Sequence, residues 1–124
     1  MTVKTNILIV DDEKHLQLNL VTFLEDEGYD VVTAADGETG IDRVCKRKFD
    51  IGIIDMRLPG MDGNMFILKA HQIQPDMKFL IHTGSVTYTI PQSLIDIGIS
   101  KEHVFLKPVI DMSAMISAIE KILH

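Results

Sequence analysis

Five short aliphatic runs that alternate with amphipathic segments constrain the fold of this chain more than any other feature. The runs lie at residues 6–10, 29–34, 51–54, 79–82 and 104–106. Their length and their content of Ile, Val and Leu predict buried strands, and apolar residues recur at helical spacing between them. Because strands that alternate with helices form a parallel sheet with helices on both faces, the sequence predicts one α/β domain of five strands and five helices.

The predicted helices have recognisable boundary residues. Asp36 and Asp111 are suitable N-caps for the second and fifth helices. The third helix is predicted to begin at Asp62 or Gly63, and Pro91 suits the first turn of the fourth. These signals divide the chain into strands and helices without a linker or an internal repeat.

Composition narrows the class of protein. A chain of 124 residues with 46% apolar and 24% charged residues is predicted to be globular. Its net charge of −6 argues against direct nucleic-acid binding. No apolar run approaches the roughly 18 residues of a membrane span, and the N-terminus lacks the apolar region of a signal peptide. The single cysteine, Cys45, fits a reducing compartment and is predicted to pack on the inner face of the second helix. We therefore expect a cytoplasmic protein.

Polar residues follow four of the five predicted strands. Asp11 and Asp12 follow the first strand, Asp55 the third, Thr83 the fourth and Lys107 the fifth. A lone Asp after a strand would most often cap a turn. In an open α/β sheet, however, ligands bind beyond the carboxyl ends of the strands. The complementary set of three carboxylates, a hydroxyl and an ammonium therefore predicts one functional site at this edge.

The charges of these residues favour phosphoryl chemistry. Neighbouring carboxylates repel one another and recruit a hard divalent cation such as Mg²⁺. Lys107 supplies a point charge for Asp55 or for a phosphate oxygen, and Thr83 supplies a hydroxyl donor. Gly84 lets backbone N–H groups approach a ligand closely. A carboxylate that attacks phosphorus forms an acyl phosphate, and a metal and an ammonium group stabilise such a transfer.

The combined pattern resembles the receiver domain of two-component response regulators over essentially the whole chain. The matching motifs are Asp11-Asp12, the loop from Asp55 to Gly63, Thr83-Gly84 and Lys107-Pro108. The resemblance implies a flavodoxin-like fold with five parallel strands in the order 2-1-3-4-5. It also implies a single receiver domain over residues 1–124, with no output domain in this chain.

By this resemblance, Asp55 accepts a phosphoryl group from a histidine kinase or a histidine phosphotransfer protein. Thr83 and Lys107 would contact the phosphoryl group, and the Lys107–Pro108 bond would be cis, which only an X-Pro bond adopts cheaply. The chain is then a signalling switch and not an enzyme in the usual sense. Its own chemistry would be limited to self-phosphorylation from phosphodonors and autodephosphorylation.

The resemblance also implies a site for Mg²⁺ or Mn²⁺. Asp12 would bind the metal directly and Asp11 largely through water. Asp55 and the backbone carbonyl of Arg57 would complete the site. A downstream effector or output domain would bind the face formed by the fourth helix, the fifth strand and the fifth helix. Neither nucleic acid nor a membrane is an expected partner, and a homodimer on phosphorylation is compatible with the resemblance.

One position near the site departs from the family pattern, and other nearby residues are interpreted separately. Receivers commonly carry an aromatic residue three positions before the lysine of the fifth strand, but here that residue is Val104 and the aromatic is Phe105. Strand side chains alternate, so Phe105 is predicted to lie on the opposite face in the core. His82 should likewise point away from Thr83 and is interpreted as structural. Arg57 and Ser85, which flank the site, lie where receivers tune the lifetime of the phosphoryl group. The alternative interpretation of Arg57 is an exposed loop residue.

Three alternative functions belong to proteins with a similar set of residues or the same architecture. A hydrolase of the haloacid-dehalogenase type resembles a pattern with two aspartates separated by one residue, whereas Asp11 and Asp12 are adjacent and no cap insertion is present. A flavodoxin would carry a phosphate loop rich in hydroxyls or glycine where this chain has acidic residues. A receiver that only relays phosphate, or acts as a phosphate sink, remains open.

Overall fold

The computed structural model describes residues 4–109 and 111–123, and within them five parallel strands form one sheet in the order 2-1-3-4-5, counted along the chain. This order confirms the predicted α/β fold. Thr83 was predicted to follow the fourth strand, but it is the last residue of that strand. The strands are β1 (Asn6–Val10), β2 (Asp30–Ala34), β3 (Ile51–Ile54), β4 (Lys78–Thr83) and β5 (Val104–Leu106).

Helices cover both faces of the sheet, and the described residues contain five of them together with a 3-10 turn at Lys101–His103. The fourth helix is shorter than predicted: it begins after Pro91, ends before Ile97 and has five residues. The helices are α1 (Lys14–Asp26), α2 (Gly37–Lys46), α3 (Gly63–Ile73), α4 (Gln92–Asp96) and α5 (Met112–Leu123).

The predicted capping residues make the expected hydrogen bonds. Oδ1 of Asp36 accepts a hydrogen bond from the N–H of Thr39 at 2.7 Å, and Oδ1 of Asp62 accepts one from Met65 at 2.9 Å. Asp111 accepts one from the N–H of Ser113 at 3.1 Å. Each side chain satisfies a backbone donor that the first turn of a helix leaves free.

Two apolar cores lie on opposite faces of the sheet. Strand residues alternate between them, so every strand is apolar on both sides, as in other covered parallel sheets. One core packs against α2 and α3, and its central members are Leu8, Val10, Val44, Ile54, Phe66, Ile67 and Ile81. The other packs against α1 and α5, and its members include Ile7, Ile9, Leu20, Leu24, Ile53, Leu80, Met115 and Ile119.

The prediction for Cys45 was wrong. Val44 is buried, but Cys45 is exposed and does not face the core. Adjacent helical residues differ by about 100° in direction, so only one of the two can point directly at the sheet. Within the part of the chain that is described, no helix combines the length and the apolar character needed to cross a membrane.

Candidate functional site

Backbone hydrogen bonds place the polar residues at the carboxyl edge of the sheet. The N–H of Asp11 donates to the carbonyl of Ala34 at the end of β2, at 3.0 Å. The N–H of Asp55 donates to the carbonyl of Val10 at 2.9 Å, and the N–H of Lys107 donates to the carbonyl of Thr83 at 2.8 Å. Each residue therefore extends the ladder of its own strand by one position before the chain turns away.

Lys107 lies at the centre of the site. Its Nζ lies 3.0 Å from Oδ2 of Asp11, 3.1 Å from Oδ2 of Asp55 and 3.2 Å from Oε1 of Glu13. The Lys107 side chain is 8% exposed, so this charge is shared among three carboxylates with little help from water. Burial by itself would lower the pKa of Lys107, but the Asp11 and Asp55 carboxylates outweigh it and raise that pKa. Lys107 is therefore a permanent cation.

Asp55 is a buried carboxylate with two protein partners. It is 4% exposed, and its Oδ1 accepts a hydrogen bond from the N–H of Arg57 at 3.2 Å while Oδ2 faces Lys107. Burial raises the pKa of Asp55, and the charge of Asp11 adds to that rise. Lys107 and the N–H of Arg57 oppose it. The carboxylate is thus desolvated yet oriented, which suits a nucleophile more than a turn cap.

The acidic residues form a cluster that fits a hard cation. Asp11, Asp12, Glu13 and Asp55 each offer one carboxylate oxygen, and these oxygens all lie within 4.8 Å of one another. Asp12 and Glu13 are exposed, whereas Asp11 and Asp55 are buried. Oxygen donors of this kind are the ligands that Mg²⁺ prefers, so the residues present fit the ion.

A pocket of about 280 Å³ opens onto this cluster. Its size leaves room for a small anion beside a hydrated cation. Arg57 lines it with an exposed side chain, and Gly84 lines it without a Cβ. The lining residues are Asp12, Glu13, Asp55, Arg57, Gly84 and Lys107.

Thr83 lies beside the pocket but does not line it. Its side chain is 1% exposed, and its Oγ1 accepts a hydrogen bond from the N–H of Ser85 at 3.2 Å. The hydroxyl is therefore tied to the loop between β4 and α4. A change at the hydroxyl would act on that loop first.

Gly63 brings the start of α3 against the end of β3. The N–H of Gly63 donates to the carbonyl of Met56 at 3.1 Å. A Cβ at residue 63 would collide with the Asp55 carbonyl oxygen and would lie 2.5 Å from Cε of Met56. Only glycine permits this approach, which shapes the loop after Asp55.

Two close approaches at this edge of the sheet were not predicted from the sequence. The first is the contact of Glu13 with Lys107, at 3.2 Å. His82 was interpreted as structural, yet its Nδ1 lies 3.8 Å from Oδ2 of Asp11. Strand alternation offered a signal, because His82 follows Leu80 by two residues just as Asp11 follows Ile9, and Leu80 and Ile9 belong to the same core.

The prediction for β5 is confirmed. Val104 packs against the core on the α2 and α3 side, and Phe105 packs against the core on the α1 and α5 side. Phe105 therefore does not replace the aromatic that is usual at position 104. The Lys107–Pro108 peptide bond is cis, as predicted.

Comparison with known proteins agrees with this geometry. Residues 7–120 match the family model described as response regulator receiver domain. The chain is 32% identical over 117 residues to sporulation initiation phosphotransferase F of Bacillus subtilis, covering 94% of this chain and 92% of that protein. It is 31% identical over 120 residues to the response regulator ArlR of Staphylococcus aureus, covering 97% of this chain and 53% of ArlR.

Solved structures have the same fold. A CheY-like response regulator receiver domain protein from Methanospirillum hungatei superposes with a TM-score of 0.83 at 30% identity, covering 97% of this chain and 94% of that one. The chemotaxis protein CheY4 of Vibrio cholerae gives 0.82 at 25% identity, with 98% and 100% covered. The matched motif residues, the sheet order and these similarities agree, and the chain belongs to the family of response regulator receiver domains.

Proposed function

We propose that this chain is a phosphorylation-dependent switch in which Asp55 accepts the phosphoryl group. The observation that carries the proposal is the pairing of a buried Asp55 carboxylate with Lys107 Nζ at 3.1 Å, beside three further carboxylates. The phosphodonor would be a sensor histidine kinase or a histidine phosphotransfer protein, as is general for this family.

In the proposed transfer, a carboxylate oxygen of Asp55 forms a bond to phosphorus while the P–N bond to the donor imidazole breaks. The electron pair of that bond leaves with the imidazole nitrogen, which takes a proton from solvent. Lys107 already lies against Asp55 and would neutralise charge on the phosphoryl oxygens. The backbone N–H of Arg57 keeps the carboxylate oriented by its bond to Oδ1.

Mg²⁺ or Mn²⁺ bound in the cluster would supply charge neutralisation for the transferred group. We propose Asp12 as a direct ligand because it is exposed to the pocket, and Asp11 as a ligand acting largely through water. Asp55 and the backbone carbonyl of Arg57 would complete the set. Glu13, which pairs with Lys107, limits the freedom of that ammonium group when the donor is absent.

Thr83 would carry the signal into the loop between β4 and α4. When its hydroxyl turns to a phosphoryl oxygen, the bond that it accepts from the Ser85 N–H must weaken. The carbonyl of Ser85 accepts from the N–H of Tyr88 at 3.3 Å, and the Tyr88 hydroxyl donates to Oδ1 of Asn64 at 2.8 Å. Tyr88 thus offers a connection to the outer face that does not require an aromatic residue at Val104.

The downstream partner would bind the face formed by α4, β5 and α5. An open groove of about 780 Å³ lies on the α4 and β5 part of this face and extends from the β4–α4 loop to β5. Val86 is 82% exposed there, and Ile95 and Leu106 are each 48% exposed. Tyr88 and Val104 also line the groove, so a shift of the loop would alter its shape. A homodimer formed on phosphorylation would use the same face.

The test is intact-mass spectrometry after incubation with acetyl phosphate and Mg²⁺. We expect the mass of one added phosphoryl group in the wild type and none in Asp55→Asn. Asp76→Asn, an exposed aspartate in the turn before β4, is the matched control and should label normally. Labelling that persists in Asp55→Asn would refute the assignment. Size-exclusion chromatography of the labelled protein tests the homodimer.

A second candidate is a receiver that relays phosphate without an output of its own. Val104 favours it, because the aromatic usually linked to readout is missing. The similarity to a protein named sporulation initiation phosphotransferase F also favours it. Transfer of the label from Asp55 to an isolated histidine phosphotransfer domain would support the relay, whereas label retained until hydrolysis would support the switch.

We also propose that the chain acts in the cytoplasm. Cys45 is a free thiol, and an unpaired cysteine is typical of proteins in reducing compartments. Labelling of Cys45 by a membrane-permeant thiol reagent, but not by an impermeant one, in intact cells would support this location.

A further inference from the structure

His82 is a buried polar side chain without a partner in the described part of the protein. It is 2% exposed, and neither ring nitrogen makes a hydrogen bond to the residues that are described. It stands opposite Phe105 in the pairing of β4 with β5, on the face of the sheet that α1 and α5 cover. A buried polar group normally has a hydrogen bond, because leaving it without one costs about 1–3 kcal/mol. An apolar residue would fill this space at lower cost.

The imidazole faces the acidic end of the site. Nδ1 is 3.8 Å from Oδ2 of Asp11, which is itself 2% exposed. Burial and, to a smaller extent, the charge of Lys107 lower the pKa of His82 to about 4, although the charges of Asp11 and Glu13 oppose them. The ring is therefore neutral near pH 7 and carries one N–H donor. Its separation from Asp11 exceeds the range of a hydrogen bond by less than 1 Å.

Lys107 is the donor to Oδ2 of Asp11, a place that His82 could otherwise take. Its Nζ lies 3.0 Å from the same Oδ2 of Asp11, while Oδ1 of Asp11 accepts a hydrogen bond from the Glu13 N–H at 2.9 Å. The ammonium group is also shared with Asp55. A phosphoryl group on Asp55 would add negative charge beside Lys107 and draw it away from Asp11. Oδ2 of Asp11 would then be a buried carboxylate oxygen without its cation.

We propose that His82 is a positioning residue whose Nδ1–H donates to Oδ2 of Asp11 once Lys107 turns to the phosphoryl group on Asp55. The inference rests on the proposed function. A donor of this kind behind a ligand fixes the ligand's orientation toward a metal. Lys107 would hold Asp11 before phosphorylation and His82 would hold it afterwards, so Asp11 keeps its place in the metal site in both states.

Three variants separate the donor from the space that it fills. His82→Leu replaces the imidazole by an apolar side chain of similar size and so removes the donor. His82→Asn places an amide nitrogen near the position of Nδ1, and His82→Gln places one near Nε2. Urea unfolding followed by circular dichroism identifies the variants that fold. If His82→Leu fails to fold, the comparison of His82→Asn with His82→Gln carries the test.

The first readout is Mg²⁺ affinity, measured by NMR titration with and without beryllofluoride as the phosphoryl analogue. Without beryllofluoride, we expect His82→Leu to bind Mg²⁺ within about twofold of the wild type, because Lys107 still holds Asp11. With beryllofluoride, we expect a loss of about tenfold, as is typical when a group behind a metal ligand is removed. His82→Asn should recover most of this affinity and His82→Gln should not. A residue that only fills space would give no such difference.

The second readout is the tautomer of His82, from ¹⁵N NMR of the imidazole in the wild type. We expect a protected Nδ1 proton in the state loaded with Mg²⁺ and beryllofluoride. An Nε2–H tautomer in that state would overturn the inference. So would wild-type Mg²⁺ affinity of loaded His82→Leu, or equal rescue by Asn and Gln. If the wild type itself takes up neither beryllofluoride nor a phosphoryl group, the proposed function fails and this inference falls with it.

Discussion

Lys107 Nζ lies 3.1 Å from Oδ2 of Asp55, although the two residues follow strands that are not neighbours in the sheet. Asp55 follows β3, Lys107 follows β5, and β4 runs between them. The lysine side chain must therefore cross the carboxyl end of β4 to make the pair. This crossing also brings Lys107 Nζ within 3.0 Å of Oδ2 of Asp11.

Removing the lysine should destabilise the protein through the carboxylates that it leaves unpaired. We expect Lys107→Met to lower the free energy of unfolding by about 2 kcal/mol at pH 7 without Mg²⁺, since buried carboxylates lose their counter-charge. In the Asp55→Asn background the loss should be about 1 kcal/mol smaller. Urea denaturation measures both. Lys46→Met, which removes only a surface pair with Asp42, is the control and should change stability by less than about 0.5 kcal/mol. Additive effects of the two substitutions would contradict the coupling.

Mg²⁺ should stabilise the folded protein through the acidic cluster. At a Mg²⁺ concentration ten times its Kd, we expect a gain of about 1.4 kcal/mol in the free energy of unfolding. Asp12→Asn removes an exposed oxygen of the cluster and should reduce this gain strongly. Asp30→Asn, an exposed aspartate at the start of β2, should leave it unchanged. Thermal unfolding with increasing Mg²⁺ gives the comparison, and equal gains in all three proteins would place the ion elsewhere.

His82 should make stability depend on pH between about 4 and 6.5. Its pKa is about 4 in the folded protein against an ordinary value of 6.5, so the unfolded chain binds more protons in this window. Stability is therefore full above pH 6.5 and falls as the pH falls toward 4, by up to about 3 kcal/mol. The pH dependence that Asp55 contributes has the opposite sign. Its pKa is raised in the folded protein, so its contribution to stability decreases as the pH rises through that pKa.

The measurement is the difference in urea stability between the wild type and His82→Leu from pH 4 to pH 7. The carboxylates titrate in both proteins and largely cancel in the difference. We expect the wild type to lose more stability than His82→Leu on acidification. Parallel stability curves would show that His82 is not held neutral by burial.

The close approach at Gly63 predicts a steric cost for any side chain there. Gly63→Ala places a Cβ against the Asp55 carbonyl and Cε of Met56, and we expect a loss of about 2 kcal/mol in unfolding free energy. Gly84→Ala is the matched control, because a Cβ there meets no described atom within 4 Å. That variant should stay within about 0.5 kcal/mol of the wild type. Equal effects of the two substitutions would contradict this reasoning.

The hydrogen bond from Tyr88 to Asn64 should restrain the loop between β4 and α4. Tyr88→Phe removes the donor at 2.8 Å, and we expect faster amide exchange in that loop, equivalent to about 1 kcal/mol of local stability. Tyr29→Phe is the control, because the Tyr29 hydroxyl makes no hydrogen bond to a described residue. Hydrogen exchange followed by mass spectrometry distinguishes the loop from the rest of the sheet. Unchanged exchange in Tyr88→Phe would show that the bond does not hold the loop.

Much of the site could be predicted from the positions at which aliphatic runs stop. Because the carboxyl ends of parallel strands share one edge, Asp11, Asp55 and Lys107 were predicted to meet, and the ion pairs confirm that they do. The capping residues were also predictable, since an N-cap acts on its own helix and needs no distant partner. Local chemistry and strand alternation were sufficient for these residues.

Residue order alone was sufficient to predict the alternation of strands and helices, the polar residues at the strand ends and the departure at Val104. Packing in three dimensions determines which of Val44 and Cys45 faces the sheet, and it brings Glu13 into contact with Lys107. It also placed His82 beside Asp11. Periodicity gives the face of a residue within its own element, whereas contacts between elements depend on strand order, register and the reach of long side chains.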